Sequence, residues 1–199
     1  MARNAQRGSF RIIGGEWRRR RLDFVTDLEV RPSPDRVRET LFNWLAPVIE
    51  GARCLDLYAG SGALGLEALS RGAASVTFVD REPRVIAKIT EHLELLGGRE
   101  RATLLITDAQ RYLADAQGQF DVVFVDPPFR DGLIEPALQA LRHVLSPGHR
   151  VYVESETPPP ALPAGWDKLK SARAGQVSFA LVRLGTSPHN PADSAADSP

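Results

Sequence analysis

Two short stretches of the chain carry residue types at spacings that do chemistry. The first, Gly60-Ser61-Gly62-Ala63-Leu64-Gly65, fits a G-x-G-x-x-G loop, whose glycines let a ligand approach the backbone closely. The second is Asp126-Pro127-Pro128-Phe129. An exocyclic amine on a nucleobase is a poor nucleophile because its lone pair is conjugated with the ring. The Asp126 carboxylate and the Pro127 carbonyl are two acceptors that can bind its two N–H groups and turn that lone pair toward an electrophile. Pro127 and Pro128 fix φ and stiffen the turn, so the acceptors are preorganised. Phe129 offers a face on which an extruded base can stack. A plain strand-ending turn is the alternative reading.

The glycine loop alone suits nicotinamide dehydrogenases and methyltransferases equally. Asp80, 20 residues beyond Gly60, is placed to accept two ribose hydroxyls in either class. Asp56 separates them. Four residues before Gly60, it would repel a pyrophosphate but would neutralise a cationic amino group, which favours S-adenosyl-L-methionine. Asp108 adds an acceptor where an adenine amine would lie. The alternatives are a structural carboxylate beside a helix for Asp56 and a helix N-cap for Asp108. His92, His143, His149 and His189 show no metal-ligand spacing. No G-x-S-x-G elbow and no phosphate loop of the G-x-x-x-x-G-K type occurs. Cys54 lies in a strand and reads as core.

The elements that must position these groups follow from periodicity. Apolar strands at 54–58, 76–79, 103–106, 121–125 and 150–154 alternate with helices at 64–69, 85–96, 109–113 and 133–145, which predicts an α/β fold with a parallel sheet covered on both faces. Residues 166–169 and 177–184 read as a closing antiparallel hairpin. Before the sheet, Ser33 reads as an N-cap and Pro34 as the first residue of a helix whose buried face is Val37, Leu41, Trp44, Leu45 and Val48. At the start of the chain, Gly14-Gly15 suits a tight primed turn between β-prone stretches. That hairpin arm would project Trp17 together with several guanidinium groups, unless Trp17 packs the arm onto the body.

Charge adds to this picture. The chain has 199 residues and no net charge, yet residues 1–21 hold seven arginines against one acid, a net of +6, and the rest carries −6. A basic arm on an acidic body is expected where one end meets a polyanion. Arg7, Arg11, Trp17, Arg18, Arg19, Arg20 and Arg21 are the candidate RNA contacts; a solvated tail is the alternative. The single cysteine excludes an intrachain disulfide, and no apolar run approaches the roughly 20 residues of a membrane span. The polar start leads into no signal-peptide core, so a cytoplasmic protein is expected. Residues 1–30 read as the arm, 31–185 as the catalytic domain and 186–199 as a disordered tail.

The chain resembles the bacterial 16S ribosomal RNA guanine-N2 methyltransferases of the D-type small-subunit family. The likeness rests on residues 12–18 (Ile-Ile-Gly-Gly-Glu-Trp-Arg), Arg31-Pro32 through Trp44-Leu45, the glycine-loop segment Leu55 to Gly72, and Asp126 to Phe129, and spans residues 8–184. It implies a Rossmann-like class I methyltransferase fold, a seven-stranded, mostly parallel sheet whose last strand is antiparallel. It implies S-adenosyl-L-methionine as cofactor, with Gly60 and Gly62 cradling it, Asp80 on its ribose, Asp108 and Ala109 at its adenine, and residues 36–43 near its methionine end. The cofactor set is then Arg38, Asn43, Asp56, Tyr58, Ala59, Gly60, Ser61, Gly62, Asp80, Arg81, Asp108, Ala109 and Asp126, and Asp126 to Phe129 orient the guanine. The family often has Glu at the Asp80 position and Thr at that of Ser33. The expected activity is methyl transfer to guanine N2 in 16S ribosomal RNA (the guanine-966 type), in the assembled small subunit, by a monomer without metal or membrane contact. Rival readings are a DNA adenine-N6 methyltransferase, for which the chain lacks room for a target-recognition domain, and a non-catalytic RNA-binding assembly factor.

Overall fold

The computed structural model describes residues 8–25, 32–128, 132–156 and 162–185. Two short strands, β1 (Gly8–Arg11) and β2 (Arg21–Phe24), pair antiparallel as the arm. Helix α1 (Asp35–Leu45) precedes the main sheet. The chain then alternates through β3 (Arg53–Asp56), α2 (Ala63–Ser70), β4 (Ser75–Asp80), α3 (Pro83–Leu96), β5 (Ala102–Ile106), α4 (Ala109–Asp115), β6 (Phe120–Val125), α5 (Ile134–Leu141), β7 (Leu145–Glu156), β8 (Trp166–Ala174) and β9 (Val177–Leu184). The sheet order is β5-β4-β3-β6-β7-β9-β8. Strands β3 to β7 are parallel, and β9 enters antiparallel between β7 and β8. The parallel, covered sheet and the closing hairpin are as the alternation predicts.

Each face of the sheet carries its own apolar layer. Helices α1, α2 and α3 bury Phe42, Leu66 and Ile89 with Phe78, Phe124 and Tyr152 from the strands. Helices α4 and α5 bury Leu113, Leu138 and Leu141 against Val123, Val151 and Val182. Every residue of α2 is buried, which explains its continuous Ala/Leu/Gly sequence. Helix α3 begins with Pro83 in its first turn and a Glu82 side chain accepting from the Arg84 N–H, and it stops at Gly97 in the left-handed region. The chain returns from the β5 edge to place β6 beside β3, so the strand order reverses between these two. Open α/β sheets bind ligands at such a point.

Three local expectations are corrected. The arm has no two-residue turn: Arg11 pairs with Arg21, and Ile12 and Arg20 continue the pairing, so residues 13–19 form a wide loop. The loop is held by bonds of two kinds, turns of its own (Arg18 N–H to the Gly15 carbonyl, Arg20 N–H to that of Trp17) and bonds to the body. Glu16 N–H donates to the Ser70 carbonyl at 2.7 Å, and Trp17 N–H to Ser70 Oγ at 2.9 Å. Trp17 takes the alternative of packing the arm onto the body. Its indole is buried against Gly98, with the Arg101 guanidinium 5.2 Å from the ring centroid, because an indole gains more from apolar burial than from solvent. Finally, Ser33 does not cap α1. Pro34 holds the N-cap position without a side-chain bond, and the Ser33 hydroxyl is committed elsewhere. Strand β7 is also longer than the expected 150–154, with a register shift against β6 between Phe120 and Val122.

The arm is locked to the body by one carboxylate. Glu67 of α2, with no solvent exposure, accepts from Ile13 N–H and Gly14 N–H at 2.8 Å each and from Arg71 Nε at 2.7 Å. Arg38 of α1 lies 3.5 Å away and is equally buried. Glu67→Ala leaves that guanidinium in the interior with one anion fewer and strips two backbone donors of their acceptor. Urea denaturation should show a loss of about 3–5 kcal/mol, with faster proteolytic cleavage within residues 12–20. An effect below about 1 kcal/mol would mean that water replaces the carboxylate.

Candidate active site

The reversal of strand order brings the carboxyl ends of β3, β4, β6 and β7 together. The loop after β3 is tied down on both sides: Leu57 N–H donates to the Phe124 carbonyl at 3.1 Å and Ala59 N–H to the Val79 carbonyl at 2.9 Å. Gly60 and Gly62 both have positive φ, 51° and 75°, which turns the chain into α2. The Gly60 N–H donates to Asp80 Oδ2 at 2.9 Å, while Asp80 Oδ1 accepts from the Glu82 N–H. Thus Asp80 sits at the loop as expected, where it fixes the first glycine. Ser61 is buried and its hydroxyl accepts from the Ala63 N–H.

The third glycine of the pattern answers to packing. A Cβ on Gly65 would stand 2.2 Å from the Phe78 ring and 3.0 Å from Asp56 Oδ2. Its absence lets the first turn of α2 press onto β3 and β4, where Gly65 N–H donates to Asp56 Oδ2 at 2.9 Å. Asp56 is fully buried, and burial pushes its carboxyl up to about 7, opposed by the Gly65 bond and reinforced by the Asp80 charge. A carboxylate so poorly solvated is improved by any cation that reaches it.

Asp126 follows β6 directly. Its level is set by the pairing of Asp56 with Phe124 and of Val125 with Val153, so Asp126 stands beside Glu154 on the neighbouring strand and one pleat beyond Asp56. All three point to the α1 side of the sheet. The Ser33 hydroxyl, freed from the cap, donates to Asp126 Oδ2 at 3.1 Å. Burial raises the Asp126 carboxyl well above its ordinary range, and the Glu154 charge raises it further, against the Ser33 bond. Glu154 is buried and raised by the same desolvation, and Tyr152 Oη donates to its Oε2 at 2.5 Å. Pro127 is buried and Pro128 exposed; Phe129 lies outside the described residues.

Other expected site residues are placed less directly. Asp108 is the N-cap of α4, accepting from Gln110 N–H at 2.8 Å and Arg111 N–H at 3.3 Å, so the helix-cap reading of this residue holds. Its neighbour Ala109 is buried. The Tyr58 hydroxyl faces Gln110 and Asp108 without a bond of ordinary geometry, and burial pushes it up to about 12. Ala59 is buried and Arg81 exposed. Arg38, expected at the cofactor, has its side chain wholly buried and turned to the arm, donating to the Ser33 and Arg11 carbonyls and to Asp35 Oδ1. Asn43 lies on the exposed face of α1. In the arm, Arg18, Arg19, Arg20 and Arg21 are all exposed, Arg19 at positive φ on the loop. Arg11 is exposed too, paired with Asp35 at 2.7 Å, while Arg7 lies outside the described residues.

Sequence reading missed Glu154, Tyr152 and Glu67. The available signal for Glu154 was an acid closing an apolar strand, in Tyr152-Val153-Glu154. Glu67 carried none beyond a charge inside an otherwise apolar helix.

Comparison with known proteins identifies the family and the fold. Residues 10–183 match the family described as Conserved hypothetical protein 95. The Ribosomal RNA small subunit methyltransferase D of Escherichia coli strain K12 is 45% identical over 180 residues, covering 88% of this chain and 90% of that protein. A solved Escherichia coli structure, described as a proposed methyltransferase, aligns with a TM-score of 0.81 at 44% identity, over 90% of this chain and 100% of its own. A second one, a proposed methyltransferase complexed with SAH, shares the fold at 16% identity, with a TM-score of 0.63 over 74% of this chain and 48% of its own.

The state of Asp56 has a measurable consequence. Folded, the carboxyl keeps its proton up to about pH 7; unfolded, only to about pH 4. Stability therefore falls as the pH rises through that window, by about 1.4 kcal/mol per pH unit from this group. Asp56→Asn keeps an acceptor for Gly65 and loses the dependence. Urea unfolding at pH 8 should find the variant more stable than the parent, by a margin that shrinks toward pH 4; a margin independent of pH would refute the assignment.

Proposed function

The chain belongs to the Conserved hypothetical protein 95 family, with the ribosomal RNA small subunit methyltransferase D of Escherichia coli, and from that premise we propose that it methylates the exocyclic N2 of a guanine in 16S ribosomal RNA. The single observation that carries this reading is Asp126 at the mouth of β6, next to the glycine loop that follows β3. The substrate would be a guanine of the 966 type in the assembled small subunit, met by a cytoplasmic monomer.

The cofactor of the reading is S-adenosyl-L-methionine, and the residues present fit it. Asp56 is a buried carboxylate that a cationic amino group would relieve, and Gly60 and Gly62 leave the backbone open to close approach. Asp80 presents a carboxylate at the loop, and Tyr58, Ala59, Ser61, Arg81, Asp108 and Ala109 border the same side through the ends of β3, β4 and β5. When bound, the cofactor supplies an activated methyl group. The protein then has to place the amine. Asp126 and the Pro127 carbonyl accept its two N–H groups, so that its lone pair leaves conjugation with the ring and faces the loop. Phe129, by its place in the sequence, would stack on the base. Holding the reactants in register and away from water supplies most of the acceleration.

The arm supplies the RNA contact through its exposed loop. Arg18 to Arg21 meet phosphates, whereas Trp17 serves by fixing the loop to the body.

Incubation with labelled methyl donor and unmodified small subunits, followed by mapping, should find one modified guanine at N2. Preference for duplex DNA would favour an adenine-N6 enzyme instead. Asp126→Ala should lower methyl transfer by at least about 100-fold, far more than it weakens cofactor binding; a variant as active as the parent would remove this carboxylate from the mechanism. Substituting Arg18 to Arg21 by Gln should flatten the plot of log affinity against log salt by about 0.7–0.9 for each phosphate left without its guanidinium. An unchanged slope would place the RNA elsewhere.

A further inference from the structure

The cluster behind Asp126 is larger than amine binding requires. Asp126, the residue after β6, and Glu154, two residues before the end of β7, stand at one level and on one face of adjacent parallel strands, whose backbones run about 4.8 Å apart. The Ser33 hydroxyl bonds Asp126 and also interacts with Glu154. Tyr152 Oη, itself buried, donates to Glu154. The groups facing the pair are thus Ser33 from the segment before α1, Tyr152 from β7 and Asp56 from β3. Among the described residues no cation bonds either carboxylate.

Resting on the reading above, we propose that Glu154 is a positioning residue of the reaction, which through its charge and the shared Ser33 hydroxyl makes Asp126 a stronger proton acceptor for the amine. An amine that gains a methyl group must shed one N–H proton. The Asp126 carboxylate takes that proton, and the electron pair of the N–H bond stays on nitrogen. Two neighbouring carboxylates in a largely buried site bind one proton more tightly than either would alone. The arriving proton is therefore received with greater driving force, and the positive charge that builds on the nitrogen is met by two negative groups instead of one. Ser33 works in the opposite sense: its hydroxyl stabilises the ionised form and keeps Asp126 from being protonated before the base arrives. Tyr152 holds Glu154 in the rotamer that keeps it beside Asp126.

Two substitutions separate these effects. Glu154→Gln preserves shape and the Tyr152 bond but removes the charge. The acid limb of the kcat–pH profile should move about one pH unit lower, and the plateau should fall about tenfold. Ser33→Ala should move the same limb to higher pH. In parallel, carbon-13 NMR of the Asp126 carboxyl in the protein without RNA should show its midpoint falling in Glu154→Gln and rising in Ser33→Ala. A purely structural Glu154 would change melting temperature and leave both the limb and the Asp126 midpoint in place, which overturns the proposal. The NMR titration needs no substrate, so it decides the question even if no guanine is methylated; failure of methylation alone counts against the function proposed above. Should Glu154→Gln not fold, an unmoved Asp126 midpoint in Ser33→Ala is enough to reject the coupling.

Discussion

Like charge held together in a poorly solvated place is the constraint around which this molecule is arranged. Parallel pairing of β3, β6 and β7 fixes the levels of Asp56, Asp126 and Glu154, and the pleat sends all three to one face. The apolar layer of α1 to α3 lies immediately beneath. Three acids so placed cannot all ionise cheaply. The protein manages them with a few neutral donors: the Gly65 N–H for Asp56, the Ser33 hydroxyl for Asp126, and the Tyr152 hydroxyl for Glu154. None of these donors brings a positive charge. What remains unbalanced is an affinity for a cation and for a proton, and a cationic methyl donor with an amine that must lose a proton would satisfy both.

Helix α2 links this acidic edge to the arm. Its first turn lies on Asp56 through Gly65, and its last turn, less than about 12 Å away, holds residues 13–17 through Glu67 and Ser70. Because all eight of its residues are buried, α2 has no freedom to shift at one end alone. The guanidinium of Arg38 extends the same lock to α1, reaching the Arg11 and Ser33 carbonyls together. Ser33 in turn contacts Asp126. A continuous set of buried and part-buried bonds therefore runs from the base of the basic loop to the carboxylate at the mouth of β6, which gives the loop and the site one frame.

The sequence made much of this legible, and the exceptions have a common cause. Strands and helices of the sheet follow from apolar periodicity, and the glycine loop and Asp126 from residue types at short spacing, since those signals are local. Arg38, Glu67 and Ser33 were opaque because each is satisfied by a partner far along the chain: 29 residues separate Arg38 from Glu67, and 93 separate Ser33 from Asp126. An arginine on a helix reads as solvated until the anion that buries it is known. Ser33 before Pro34 has the form of a helix cap, yet a tertiary acceptor competed for its hydroxyl and won. Trp17, set among arginines, reads either as a base-stacking residue or as an anchor of the arm, and the structure shows the anchor. Nothing nearby in sequence discloses the flat surface at Gly98 that receives it.

These long-range partners also explain how charge is apportioned in the arm. Arg11 is drawn to Asp35, which also holds Arg38, so it belongs to the frame. Arg18 to Arg20 lie on a loop whose backbone is fixed at Ile12, Ser70 and Glu67 while their side chains remain in water. A flexible tail of the same charge would lose conformational entropy when it met a polyanion. A loop already bolted at its base would bring its guanidinium groups to such a partner with less left to order. The burial of Trp17 and the exposure of its arginine neighbours are then one arrangement: the aromatic anchors the loop, and the charges stay presented without being anchored themselves.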